Sequence, residues 1–382
     1  MSASAGGAAF RVLVYSNEVL EAELCNAHVE LERIRGKLQV SYLEEYLHEI
    51  GASTIVVEHD YIDRDYMEDF AAYYVRCFVQ YDRRCKRLHF FSRPFSEQEF
   101  RDLISARKGT LPQNKFTESY LGFIAVKPLP ETVIGRTCLV TYPDEGTRHY
   151  EIVRDYEANL FGIPLKVRST LAFQEQDKVV AACASSALWS AFHGTSQEFR
   201  HRLPSPAEIT QAAGAKASDV DRNLPNKGLT WNMMADAIRY VGLEPLYSRP
   251  ADENDLKAMI YGYVRGRIPA ILGFNRHDPA DDPDEWRTQG HAVTVSGFRL
   301  DPMTTKPVED TLGFRLYAYR MDRLFVHDDQ IGPFARMFID SKPASVNIDG
   351  KTKDLLSLGT LYPDSNDEQG NVRGVDLVVL LP

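Results

Sequence analysis

The sequence predicts an α+β protein in two domains, and three observations carry that prediction. A length of 382 residues is more than one hydrophobic core of ordinary size organises. With 44% hydrophobic and 26% charged residues the chain has the make-up of a packed globular protein, which excludes disordered, collagen-like and coiled-coil classes. Helical and extended patterns come in blocks, and in the second half helices come first and strands after, whereas a doubly wound fold alternates them.

In chain order, Phe10 to Tyr15 is an apolar run of strand type. Leu20 to Ile50 has helical periodicity and reads as one long stretch stopped by Gly51. The β-branched run Ser53 to Glu58 is extended. Tyr66 to Phe78 places aromatics on one side of an amphipathic helix, and Ser96 to Ala106 forms another, with Ser96 and Glu99 at capping-box spacing. Strands follow at 120–129 and 136–142. Together these make an N-terminal α+β domain, 1–155, suited to recognition or regulation. The second domain, 156–382, opens with an apolar helix from Cys183 to Gly194, a helix from about Ser205, and a third that Thr230 caps and Gly242 closes. Strands then dominate, at 269–274, 291–298, 314–320, 323–327, 335–340 and 375–381.

Acidic side chains outnumber basic ones, 54 to 44, for a net charge of −10. That balance opposes general affinity for nucleic acid or an anionic membrane, a local basic patch apart. The first residues lack a basic start followed by an apolar run of signal length, and no window is apolar for long enough to span a bilayer. A cytoplasmic protein without a membrane partner is expected. Its five cysteines are odd in number and never spaced as CxxC, so reduced thiols are expected, with neither a disulfide framework nor a metal site.

Cys183 stands apart from the other four because it opens a stretch of good helix formers, AACASSALWSAFHG. The amides and positive dipole of a helix N-terminus favour a thiolate, which is the nucleophilic form of cysteine. Upstream, Gln176 can offer a side-chain amide to an oxyanion, with the Cys183 backbone N–H as the second donor, and Gln174 competes for that role. A thiol nucleophile needs a base, and GHAVTVSGF puts His291 at the mouth of an alternating strand, where it shares a face with Val293 and Val295. An imidazole in turn needs an orienting acceptor. LFVHDDQIGPF provides Asp328 directly after an apolar run, with Asp329 in reserve.

Cys183, His291 and Asp328, preceded by Gln176, resemble the papain-like cysteine peptidases, and in particular a bacterial branch similar to the double-glycine-leader (bacteriocin-processing) peptidases. The resemblance covers roughly residues 165 to 382, including GLTWNMMADAIRYVG and IPAILGF. The papain subgroup itself differs, since it carries a tryptophan directly after its cysteine and here the nearest is Trp189. What the resemblance implies is a papain-like C-terminal domain, helices packed on an antiparallel sheet. In that family the cysteine opens the central helix, the histidine starts a strand and the third residue follows the next strand. It further implies a thiol hydrolase, a cysteine peptidase acting on a protein or peptide substrate through an acyl-enzyme and without a cofactor. Deamidation, isopeptide cleavage and acyl transfer use the same intermediate.

Two other stretches invite a function. RCFVQYDRRCKRLHFF interleaves Arg76, Arg83, Arg84, Lys86 and Arg87 with aromatics, a pattern that can engage an acidic partner or single-stranded nucleic acid, although the net charge favours a solvated basic face. Cys77, Cys85 and His89 in it lack the fourth ligand of tetrahedral zinc. The acidic loop 277–286 precedes His291 and can border a cleft. The rival to an enzyme is a binding scaffold of the same fold, with a regulatory partner on the N-terminal domain.

Overall fold

The computed structural model describes residues 9–106, 111–143, 146–176, 183–214, 228–278, 287–302, 316–348, 351–360 and 373–381. The chain is α+β and divides into two compact units, Met1–Pro143 with Arg154–Asp177, and Asp144–Val153 with Lys178–Pro382.

The first unit carries β1 (Phe10–Val14), α1 (Asn17–Leu24), α2 (Leu31–Arg35), α3 (Leu38–Glu49), β2 (Thr54–Tyr61), α4 (Arg64–Ala72), β3 (Cys85–Phe91), α5 (Glu97–Ile104), α6 (Gln113–Glu118), β4 (Tyr120–Val126) and β5 (Ile134–Leu139). Its five strands form an antiparallel sheet in the order β1-β2-β3-β4-β5. The expected single helical stretch from Leu20 to Ile50 is three helices. The chain breaks after α1 because Asn26 turns out to donate its side-chain amide to the carbonyls of Lys127 and Leu129, a tertiary anchor that periodicity does not encode. The Tyr66–Phe78 helix is shorter than expected, ending at Ala72 before a 3-10 turn, Tyr74–Arg76. By contrast, the Ser96–Glu99 capping box is formed in full. Rings of Phe10, Phe100, Phe116 and Phe91 pack edge to face, tilted or stacked at 4.6–5.6 Å between centroids, so aromatic burial supplies much of this core.

The division of the chain differs from a cut at residue 155. β6 (Arg148–His149) pairs with a strand of the second unit, whereas the hairpin β7 (Arg154–Leu160) and β8 (Ile163–Thr170) stays with the first. The hairpin is tied there because the Thr170 hydroxyl donates to the Leu139 carbonyl, and Thr137 and Phe173 exchange backbone hydrogen bonds of 2.7 and 2.9 Å.

The second unit holds α7 (Cys183–Phe199), α8 (Pro206–Gly214), α9 (Trp231–Tyr240), β9 (Leu246–Ser248), α10 (Glu253–Arg265), β10 (Ala270–Asp278), β11 (Arg287–Leu300), β12 (Met321–Asp328), β13 (Gly332–Ile348), β14 (Lys351–Thr360) and β15 (Arg373–Leu381). Strands β10 to β15 pair antiparallel in sequence order, and β15 pairs back onto β10, which closes a six-stranded barrel with β9 beside β15. Closure leaves few open edges in the sheet. Two expectations are corrected. Residues 316–320 of the expected strand at 314–320 form a 3-10 turn (Tyr317–Arg320) or its approach, with 314 and 315 outside the described residues. Gly194 does not end α7, which runs on to Phe199. A Cβ at Gly194 would lie 2.6 Å from Ile152 Cγ2, so the glycine serves close packing. No helix of the described residues is long and apolar enough to cross a membrane.

Candidate active site

Cys183 is the first described residue of α7, and everything that places it is packed or hydrogen-bonded. Twelve consecutive residues of the helix, from Ala184 to Thr195, are buried. Ser185 and Thr210 share a hydroxyl hydrogen bond of 3.0 Å that links α7 to α8. The Thr294 hydroxyl of β11 donates to the Ala187 carbonyl at 2.6 Å, at the level of the first helical turn. The thiol itself stays half-exposed, its Sγ 4.0 Å from the carbonyl oxygen of Gly290. Among the described residues nothing lies within 4 Å of where a side chain at Gly290 would project.

His291 sits inside β11 rather than at its start, because pairing with β10 extends back to Arg287 opposite Asp278. Across that ladder it faces Phe274, whose ring meets the imidazole edge-on at 5.4 Å. On the other side, β12 pairs Thr294 with His327, and continuing that register puts Asp328 across from Val293, one pleat from His291. A diagonal pair of this kind brings long side chains on one face into reach. The result is a hydrogen bond of 3.0 Å between His291 Nε2 and Asp328 Oδ1, with both side chains about 95% buried. Asp328 is held in turn: the Gln330 amide donates to the same oxygen at 2.9 Å, and the Ile331 amide donates to its carbonyl at 3.0 Å.

These contacts define the ring. Since Nε2 is engaged by Asp328, Nδ1 is the ring nitrogen left to face a reactant, and among the described residues it has no partner at hydrogen-bond geometry. Burial alone would drive the imidazole toward its neutral form. The charge of Asp328 and its hydrogen bond outweigh that, and the Cys183 thiol and the charge of Asp329 add to them, so His291 titrates well above its ordinary value of 6.5. Asp328 thus favours the protonated ring.

Asp328, not Asp329, orients the imidazole. Asp329 is equally buried, and one ligand atom from each of His291, Asp328 and Asp329 lies within 4.8 Å of the others. A cation placed among them would have to replace the His291–Asp328 hydrogen bond. Phe274 and Gln330 are contributions that sequence reasoning missed. The antiparallel pairing of IPAILGF with GHAVTVSGF is the signal that would have found Phe274.

Gln176 lies in the first unit, where its backbone carbonyl accepts from the Thr132 hydroxyl at 3.1 Å; Gln174, in the same unit, is buried. Residues 177–182, which lead from there to Cys183, lie outside the described residues, as does most of the expected acidic loop, 279–286.

The basic-aromatic stretch is largely committed to the first unit. Arg87 pairs with Glu58 at 2.7 Å and lies 4.0 Å over the Tyr61 ring, and Lys86 donates to the Cys25 carbonyl at 2.9 Å. His89 is fully buried between Glu58 and Tyr120, and burial drives its pKa down to about 4. Among the other cysteines, burial raises the thiol pKa of Cys25, that of Cys138 to about 12, and that of Cys85 well above its usual range.

Comparison of the sequence with protein-family models and with curated proteins returned no match.

Proposed function

We propose that the second unit is a thiol hydrolase, a cysteine peptidase of papain-like fold that cleaves a protein or peptide through Cys183, His291 and Asp328. The observation that carries this reading is the division of labour on one imidazole. Nε2 is bound to a buried carboxylate that also accepts from the Gln330 amide, while Nδ1 is left for the proton of a thiol that opens a buried helix. The arrangement of that helix against β10, β11 and β12 of an antiparallel barrel, with the acid at the end of the strand next to the histidine's, supports the papain-like assignment.

In this mechanism the Cys183 proton resides on Nδ1, as the imidazolium of a thiolate–imidazolium pair, and the thiolate attacks the acyl carbon. The oxyanion that develops is met by the Cys183 backbone N–H. When the C–N bond breaks, the imidazolium passes its proton to the leaving amine and a thioester remains. Water, deprotonated by Nδ1, attacks the thioester, and the sulfur departs and is reprotonated. Throughout, Asp328 keeps the proton on Nε2 and stabilises the cation. No cofactor enters the scheme. A reducing compartment such as the cytoplasm suits a free nucleophilic thiol, and the first unit is assigned to substrate recognition or regulation.

The test is site-resolved alkylation of the native protein by iodoacetamide, read by mass spectrometry across pH 5 to 9. Half-exposed Cys25 and Cys77 serve as internal references. Cys183 is expected to react fastest below neutrality and to slow about tenfold or more in His291→Ala. Equal rates at Cys183 and Cys77, unchanged by His291→Ala, would remove the proposal.

A further inference from the structure

One exposed feature has no part in that chemistry. The loop between α4 and β3 presents Val75 at 50%, Phe78 at 107% and Val79 at 51% exposure, so among the described residues the aromatic side chain stands fully exposed. Single exposed apolar residues are ordinary, but three within five positions of one loop mark a contact site.

The tip rests on a firm base. Tyr74, at the foot of the loop, is buried and meets the rings of Tyr66 and Tyr81 at 6.4 and 5.5 Å. The Tyr66 hydroxyl donates to the Asp82 carbonyl at 2.7 Å, and the Cys77 amide donates to the Tyr74 carbonyl at 3.1 Å. Both ends are thus pinned and the apolar side chains are displayed between them, so little ordering entropy is lost on contact. Around the tip stand exposed Arg76, Arg83 and Arg84. Arg83 lies 5.5 Å over the Phe70 ring, and Arg84 has a loose partner in Asp60 at 3.7 Å, both exposed. Asp82 accepts from the Arg84 amide through its side chain, and the three guanidinium groups outnumber the two carboxylates, Asp60 and Asp82, beside them.

We propose that this loop is a peripheral docking site for an anionic lipid bilayer, with Phe78, Val75 and Val79 entering the boundary between headgroups and acyl chains and Arg76, Arg83 and Arg84 meeting lipid phosphates. The chemistry favours lipid over single-stranded nucleic acid, since two of the three apolar residues are valines, which offer no ring for a base to stack on. It also favours lipid over a protein groove, because arginines beside a protruding aromatic match the order of charge and hydrocarbon met on entering a bilayer. With a chain charge of −10, attachment depends on this patch alone and is sensitive to salt.

The experiment is flotation of the full chain with vesicles of phosphatidylcholine alone and with 30 mol% phosphatidylserine, at 50 mM and 500 mM salt. Binding is expected only to the serine-containing vesicles at low salt. Phe78→Ser should weaken it about tenfold, and Arg83→Glu with Arg84→Glu at least as much. All three side chains are exposed, so these variants fold. In Phe78→Trp, bromine-labelled acyl chains should quench the new indole. No flotation, retention of binding by the variants, or absence of quenching would overturn the proposal. Binding of a fluorescent oligothymidylate that the same variants abolish, without vesicle binding, would assign the loop to nucleic acid instead.

Discussion

Replacing Asp328 by asparagine isolates the charge of the His291 pair from its shape. The amide still accepts from His291 Nε2 and from the Gln330 amide, so the bonds at 3.0 and 2.9 Å survive as neutral ones. What is lost is the difference between a charge-assisted and a neutral hydrogen bond, together with compensation of a cation on a residue only 6% exposed. That difference is about 2 kcal/mol, short of the ~3–5 kcal/mol that follows when one partner of a buried pair is removed outright. For a unit of this size the unfolding midpoint should fall by roughly 4–8 °C at pH 6. The sign of the pH dependence follows from the raised titration of His291. Stability from a raised histidine is complete below its unfolded value, 6.5, and disappears as pH climbs through the folded one. Thermal unfolding of parent and Asp328→Asn between pH 5.5 and 10 should therefore show the widest gap at or below pH 6.5 and a closing gap above it. Asp329→Asn, whose charge is the smallest of the influences on the ring, should give a smaller gap. A difference that is flat in pH, or that widens toward alkaline pH, would refute the assignment of Asp328 as the partner of a cationic imidazole.

Other positions give independent checks. Gly122 has φ +130° and a Cβ there would lie 2.0 Å from the Cys138 carbonyl oxygen, so Gly122→Ala should cost more than about 2 kcal/mol in chemical denaturation of the first unit, whereas Gly51, at φ +78° in open space, should cost about 1. Asp65 is buried beside Arg136 and its pKa is pushed up to about 6, chiefly by that burial. Its charged form therefore weakens the fold as pH rises from 4 to 6, and Asp65→Asn should stabilise the protein at pH 7 by at most about 3 kcal/mol, with the gain vanishing near pH 4. Ser96→Ala opens the capping box of α5 and should cost about 1 kcal/mol by equilibrium unfolding.

Local chemistry was the part of this molecule that its sequence made legible. Ser96 with Glu99, and Thr230 with Gly242, mark helix ends by side-chain hydrogen bonds and a positive φ that need no tertiary context, and both ends are where those residues placed them. Strands with alternating or β-branched runs were readable for the same reason. Tertiary anchors were not. Asn26 reaching Lys127 and Leu129 breaks a helix that periodicity would continue, and Gly194 looked like a stop when its role is to admit Ile152 and Pro269. α10 also escaped notice, although Asp252 caps it and Leu256, Ile260 and Val264 recur along its buried face. Within the site, residue types and order pointed to Cys183, His291 and Asp328, but the choice between two adjacent aspartates depended on strand register, which pairs residues distant in the chain.

Closure of the barrel has a consequence for synthesis. The seam between β10 and β15 joins residues 271–277 to 373–380, and the strands bearing His291 and Asp328 lie within the ring it completes. On the ribosome, β10 waits for about a hundred further residues before its second neighbour emerges, a delay of roughly 5–20 seconds at typical elongation rates. During that interval the first unit, whose segments all precede Lys178, can fold, while the sheet that aligns the imidazole has an unsealed edge. The pairing of His291 with Asp328 would thus be incomplete in the nascent chain and settle only once the barrel is shut.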